Sequence, residues 1–218
     1  MRNTDREELD LLAARLPRMS RMAADAMDLA GLALAEADAE LADDAVDAGD
    51  LLGRACAEGE DRLAALATAD LHGVRSTILA LNDLERMGRL AVHVADAVRR
   101  RHPGPAVPRV LAPRFAEMGR IAVWLATMAG QVLDTGDLSL ARTVTRVDAD
   151  MDDLHRTLFT VLGYQDWAHG TAAAVDVALL SHNYERFGDH AVSLVRRATS
   201  GLTECPAVRR QVVDVRIA

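Results

Sequence analysis

The stretch Ser181-His182-Asn183-Tyr184-Glu185-Arg186-Phe187-Gly188-Asp189-His190-Ala191 has a partial copy one hundred positions earlier, Leu81-Asn82-Asp83-Leu84-Glu85-Arg86-Met87-Gly88-Arg89-Leu90-Ala91. Each copy reads Glu-Arg, a large apolar residue, Gly, then Ala three positions on. Each sits late in a helix-like segment that ends in an arginine pair. A repeated supersecondary unit is the economical reading, because such a unit cannot bury its apolar face alone and does so against its own copy. Two similar halves packed as one body are therefore expected. The copies differ where chemistry is concerned: Asp189 is answered by Arg89, so one half alone keeps a full set of carboxylates.

Composition narrows the classes open to such a chain. Aromatic residues are 3% of the 218 and hydrophobic residues 50%, so the core must be built from Ala, Leu, Val and Met, with few flat surfaces on which bases could stack. The formal net charge of −8 argues in the same direction, since affinity for a polyanion such as nucleic acid rests on an extended basic surface. All 25 basic residues are Arg, a bias that GC-rich codons produce without any functional cause. Cys56 and Cys205 are too few for a disulfide framework and lie in no activating motif, and no secretory signal opens the chain. The expectation is a cytoplasmic protein that meets a membrane only through partners, because no window is apolar enough to span a bilayer.

The periodicity of apolar residues predicts six helices. The first covers about 5–35 and is interrupted at Pro17, where it either starts afresh or kinks. A second, about 39–66, carries Gly49, Gly53 and Gly59, which weaken its expected continuity. A third begins after an Asp70 N-cap and runs to Arg101. The cluster Pro103-Gly104-Pro105 with Pro108 is the strongest breaker and places the boundary between the halves. Phe115, Met118, Ile121, Leu125 and Met128 then mark a fourth helix, 138–162 a fifth, and the segment ending near Arg197 a sixth. The resulting division is 1–102 and 103–200 as two three-helix units, with 201–218 as a tail. The fold class is all-α, two tandem antiparallel three-helix bundles.

Glu185 and Asp189 are four residues apart and share a helix face, with His182 on the same stripe. Asp148 and Asp152 form a second such pair on the preceding helix. Facing each other, the pairs would repel unless cations or protons neutralise them, which suits a polynuclear site for Mg, Mn or Ca, or for Fe or Zn if a histidine joins. The alternative is a solvated acidic helix face. In the first half Arg89 stands beside Glu85, and the second helix offers Asp47 followed by Leu51 where a second acid is needed, so that site is expected to be empty or only weakly occupied, with Arg89 neutralising Glu85. His72, His93, His102, His155, His169 and His190 read as surface or locally satisfied groups. No nucleophile elbow or glycine-rich phosphate loop is present, and no enzyme is expected.

Asp83-Leu-Glu-Arg-Met-Gly, Tyr184-Glu-Arg-Phe-Gly-Asp-His-Ala and Asp148-Ala-Asp-Met-Asp-Asp-Leu together resemble the repeated motifs of the PhoU family, with the likeness running from about Leu9 to Arg197. Met151-Asp152-Asp153-Leu154-His155-Arg156 and Trp167-Ala168-His169-Gly170 resemble actinobacterial members in particular. The resemblance implies a pair of symmetric three-helix bundles, usually dimeric, some of which carry Fe, Zn, Mn or Mg on their acidic motifs. It assigns metal contact to Asp148, Asp152, Glu185 and Asp189, and secondarily to Glu85 and Asp47, with His182 added from its place on the stripe. The segment from about Gly49 to Asp70 reads shorter than in the family, which predicts a truncated second helix or a rebuilt turn.

The function implied by the resemblance is negative regulation of the phosphate-starvation response. Such a protein works as an adaptor between the ATPase subunit of the phosphate transporter and a sensor histidine kinase. Two other classes share some of these features: a metal-dependent hydrolase of phosphorylated small molecules, and a metal-free helical accessory protein of a different transporter.

Overall fold

The computed structural model describes residues 3–66, 70–163 and 167–203. Seven helices follow one another: α1 (Asn3–Ala13), α2 (Leu16–Glu36), α3 (Ala39–Ala64), α4 (Leu71–Arg101), α5 (Ala112–Thr135), α6 (Leu138–Leu162) and α7 (Gly170–Thr203). Among the described residues there is no strand. The six long helices are those expected. The short α1 arises because the chain starts a new helix at Leu16, with Pro17 in its first turn, where a missing N–H is no loss. Tyr164, Gln165 and Asp166 of the loop before α7 lie outside the described residues, as do Cys205 and the apolar tail of 204–218.

The repeat is visible in how the helices begin and end. Helix α2 stops at Ala37, in the left-handed region at φ 56°, and α5 stops at Gly136, φ 67°. The next residue in each half is an aspartate N-cap. Asp38 Oδ1 accepts from the backbone N–H of Glu40 and Leu41, and Asp137 Oδ1 from Ser139 and Leu140. Glycine meets the left-handed turn without strain in the second half, whereas the first half holds an alanine there at some cost.

Helices α2, α3 and α4 pack on one another, as do α5, α6 and α7, and the two bundles join through α2 against α5 and α4 against α7. The core is Ala, Leu, Met and Val, with Met27, Leu84, Met87, Met118, Leu125 and Met151 fully buried. Small residues let α2 and α5 approach closely: a β-carbon on Gly130 would lie 3.0 Å from the Pro17 carbonyl oxygen. Beside it the buried Ser20 hydroxyl donates to the Ala126 carbonyl at 2.7 Å.

Helix α3 is not broken by its glycines and runs 26 residues, against 25 in α6. The packing explains two of the three glycines. A β-carbon on Gly49 would meet the Gly88 carbonyl oxygen at 3.0 Å, and one on Gly59 would meet Leu81 Cδ1 at 2.9 Å. Gly53 faces open space. The turn after α3 includes residues 67–69, which lie outside the described residues.

Candidate functional site

Helices α6 and α7 bring the two acidic pairs of the second half onto one surface. Asp148 projects at the α7 backbone: a β-carbon on Gly188 would lie 2.8 Å from its Oδ1 and 3.2 Å from Leu125 Cδ1. A side chain at 188 would force the Asp148 carboxylate and Leu125 to shift. Burial, then the charges of Asp152, Asp189 and Glu185, pushes the Asp148 carboxyl up to about 6, with Arg196 acting the other way. The Glu185 carboxyl is also raised, by burial and by Asp189, against the opposing effect of His155, His182 and Arg186.

Glu185 Oε2 is buried without a hydrogen-bond partner. His182 Nδ1 lies 3.5 Å away, close enough for an ion pair but outside hydrogen-bond geometry. Asp189 accepts from Arg186 Nη1 at 2.7 Å, and Asp152 is exposed. Among the described residues no three His, Cys, Asp or Glu side chains converge tightly enough to chelate an ion as they stand. The acids share a field rather than a fixed cage.

Counting from the N-cap aspartates corrects the expected register of the first half. Asp148 is eleven residues past Asp137, and the residue eleven past Asp38 is Gly49. The contacts agree, because Gly188 faces Asp148 and Met151 while Gly88 faces Gly49 and Leu52. The counterparts of Asp148 and Asp152 are thus Gly49 and Gly53, not Asp47 and Leu51. Asp47 is exposed on α3. Where the second half lodges a carboxylate between helices, the first closes backbone on backbone. Glu85 keeps its place but is held by Arg89 Nη2 at 3.2 Å, the neutralisation expected from the sequence.

Two residues of consequence were not singled out by sequence. His155 follows Asp148 and Asp152 along the same stripe, two turns on. It sits within the field of Glu185, with Nδ1 2.7 Å from the Ser181 hydroxyl. Its counterpart, Cys56, is buried and its thiol is pushed up to about 12 by burial, then by Glu85 and Glu60, so it is chemically inert. The other is Asp83, 7% exposed, which links the bundles. Its Oδ1 lies 2.9 Å from His190 Nδ1, and its Oδ2 accepts from Ser193 Oγ at 2.8 Å and Arg197 Nε at 3.0 Å. Burial opposes its charge, but these three bonds prevail and hold the carboxyl below its usual range. Of the two readings open to His190, surface or satisfied group, the second holds, with its partner on the other bundle.

The same duplicated geometry is found in known proteins. The PhoU domain matches residues 16–98 and 115–198, one copy on each bundle. The chain belongs to the PhoU family. It is 44% identical over 203 residues to the phosphate-specific transport system accessory protein PhoU homolog 2 of Mycobacterium tuberculosis, covering 90% of this chain and 95% of that one. PhoU homolog 1 of Mycobacterium leprae is 41% identical over 203 residues, covering 90% and 91%. Among solved structures, the phosphate transport system regulatory protein PhoU from Streptococcus pneumoniae superposes with a TM-score of 0.74 at 20% identity, over 89% of this chain and 94% of that one. PhoU from Pseudomonas aeruginosa gives 0.71 at 22% identity, over 88% and 96%. The PhoU fold is thus shared over nearly nine-tenths of this chain. Among the described residues no helix is long and apolar enough to cross a membrane.

Proposed function

We propose that this PhoU-family chain is an accessory regulator of phosphate transport that restrains the phosphate-starvation response when phosphate is plentiful. The observation that carries the proposal is the 44% identity, over nearly the full length of both chains, to a protein named as an accessory of the phosphate-specific transport system. In this reading the chain acts by binding, not catalysis. It is an adaptor between the transporter's ATPase subunit and a sensor histidine kinase, works in the cytoplasm as a homodimer, and reaches the membrane only through those partners. An adaptor of this kind must bind one partner differently in two states of the other.

The acidic face of the second bundle is proposed as its metal site. Asp148, Asp152, Glu185 and Asp189 would hold the ion, with His182 and His155 beside Glu185. The Glu185 oxygen left without a hydrogen bond and the raised Asp148 carboxyl both favour an added cation. Carboxylates alone suit Mg or Mn, and the nearby imidazoles extend the range to Fe and Zn. The exposed Asp47 and the arginine-bound Glu85 leave the first bundle without an equivalent.

The test is genetic and biochemical. Deleting the gene should raise expression of a phosphate-starvation reporter in phosphate-rich medium, and restoring the full chain should silence it. The purified chain should co-elute with the transporter ATPase subunit and with the cytoplasmic part of the kinase. A reporter that stays silent after deletion, with neither partner retained, would contradict the regulator reading.

A further inference from the structure

The duplicated Glu-Arg dipeptide points two ways. Its glutamates face α3 and α6, as the effect of Glu85 on Cys56 and of His155 on Glu185 shows. Its arginines, one step further round each helix, turn to the seam where α4 and α7 meet. There Arg86, Arg89 and His93 of α4 and His182, Arg186 and His190 of α7 line one cleft of about 620 Å³. Asn183 is also at its wall, and no carboxylate-bearing residue lines it.

This concentration runs against the composition of the chain, whose net charge is −8. Part of the positive charge is already balanced, since Arg89 pairs with Glu85 at 3.2 Å and Arg186 with Asp189 at 2.7 Å. Arg86 is exposed and makes no ion pair among the described residues. His190 is fixed from behind by Asp83. Residues 86 and 186 occupy the same position in the two motif copies, one on α4 and one on α7, and both line the cleft.

We propose that this cleft binds a small polyphosphoryl anion, with Arg86 and Arg186 as paired clamps. Planar guanidinium forks match phosphate oxygens two at a time, and several such forks favour a ligand carrying several adjacent charges. The volume falls in the range of small-molecule sites, roomier than one orthophosphate needs. No Phe, Tyr or Trp lines the walls, so the dominant feature offered to a ligand is positive charge for the phosphate chain. The cleft adjoins the acidic face, through Arg186 beside Asp189 and His182 beside Glu185, but its lining holds no carboxylate and binding there does not require metal.

Titration calorimetry of the full chain tests this, with chelator present so that phosphate bridging to a metal on the acidic face is not read. Inorganic triphosphate should bind once per chain and weaken as salt rises. Orthophosphate should bind about tenfold or more weaker, as expected when single rather than paired contacts are made. The double variant Arg86→Gln, Arg186→Gln should lose about tenfold or more in triphosphate affinity, whereas Arg21→Gln, on an exposed part of α2, should match wild type. Helical circular dichroism confirms folding. If the double variant is unfolded, Arg86→Gln alone serves, because that side chain is exposed. Equal binding of ATP and triphosphate supports a site for the phosphate chain itself, and tighter ATP supports a nucleotide as its source. Absence of triphosphate binding, unchanged binding in the variants, or tighter binding of a hexaglutamate peptide would overturn the proposal, the last in favour of an acidic protein segment.

Discussion

Asp148 is lodged against Gly188, its Oδ1 lying 2.8 Å from where a β-carbon on residue 188 would stand. The pair explains why glycine recurs in both motif copies while its neighbours differ. In the second bundle Gly188 admits a carboxylate, and in the first Gly88 admits the α3 backbone at Gly49. Gly188→Ala should therefore cost about 1–3 kcal/mol, the usual penalty for overpacking. Gly53→Ala, in open space on the same kind of helix, should stabilise by about 0.5–1 kcal/mol. Urea unfolding of the two variants beside wild type checks both signs.

Asp148 also gives a pH signature. A carboxyl raised to about 6 in the folded chain, from 3.8 unfolded, binds its proton more tightly when folded. The stability it supplies is complete below about pH 4 and is lost as the pH climbs through 6. Asp148→Asn removes that loss. In metal-free buffer the variant should exceed wild type by about 1 kcal/mol at pH 8, discounted for partial exposure, with the difference shrinking towards zero near pH 4. Unfolding midpoints across this pH range make the comparison.

Asp83 carries the opposite sign. Its carboxyl is depressed, so the stability it supplies is present above its unfolded value of 3.8 and disappears as the pH falls through its lower folded value. Asp83→Ala leaves His190, Ser193 and Arg197 without their common acceptor and should cost about 2–4 kcal/mol at pH 7. Equilibrium denaturation measures the loss, and it should exceed that of Glu85→Ala, whose exposed pair with Arg89 contributes well under about 1 kcal/mol.

Arg89→Asp restores the missing aspartate of the first motif without restoring a site. Gly49 and Gly53 still stand where Asp148 and Asp152 stand in the second bundle. Metal content should be unchanged, and stability should fall by about 0.5–1 kcal/mol as an ion pair becomes a repulsion. Added metal in this variant would show that the first bundle needs fewer ligands than its partner.

The helices were legible because apolar periodicity and aspartate caps are local signals. Helix α6 begins and ends at the expected residues. The register of α3 was not legible, because a glycine that replaces an aspartate leaves no likeness to align, and Asp47 two residues away offered a false match. Only the cap-to-cap count and the contacts of Gly88 settle it. The Asp83 network was hidden for a different reason. Its partners His190, Ser193 and Arg197 form a one-face stripe, but an acid and its donors on helices of different bundles are joined only by tertiary packing. His155 could have been found, since it continues the stripe of Asp148 and Asp152.

The proposal that metal sits on the second bundle alone makes the two bundles unequal in a way that can be measured. Elemental analysis of the full chain, purified without chelator, tests it most directly when wild type, Asp148→Asn, Glu185→Gln and Glu85→Gln are measured together. Metal is expected in wild type and in Glu85→Gln, and is expected to be lost in Asp148→Asn and Glu185→Gln. Metal-free wild type, or metal that depends on Glu85 and survives both second-bundle variants, would contradict it.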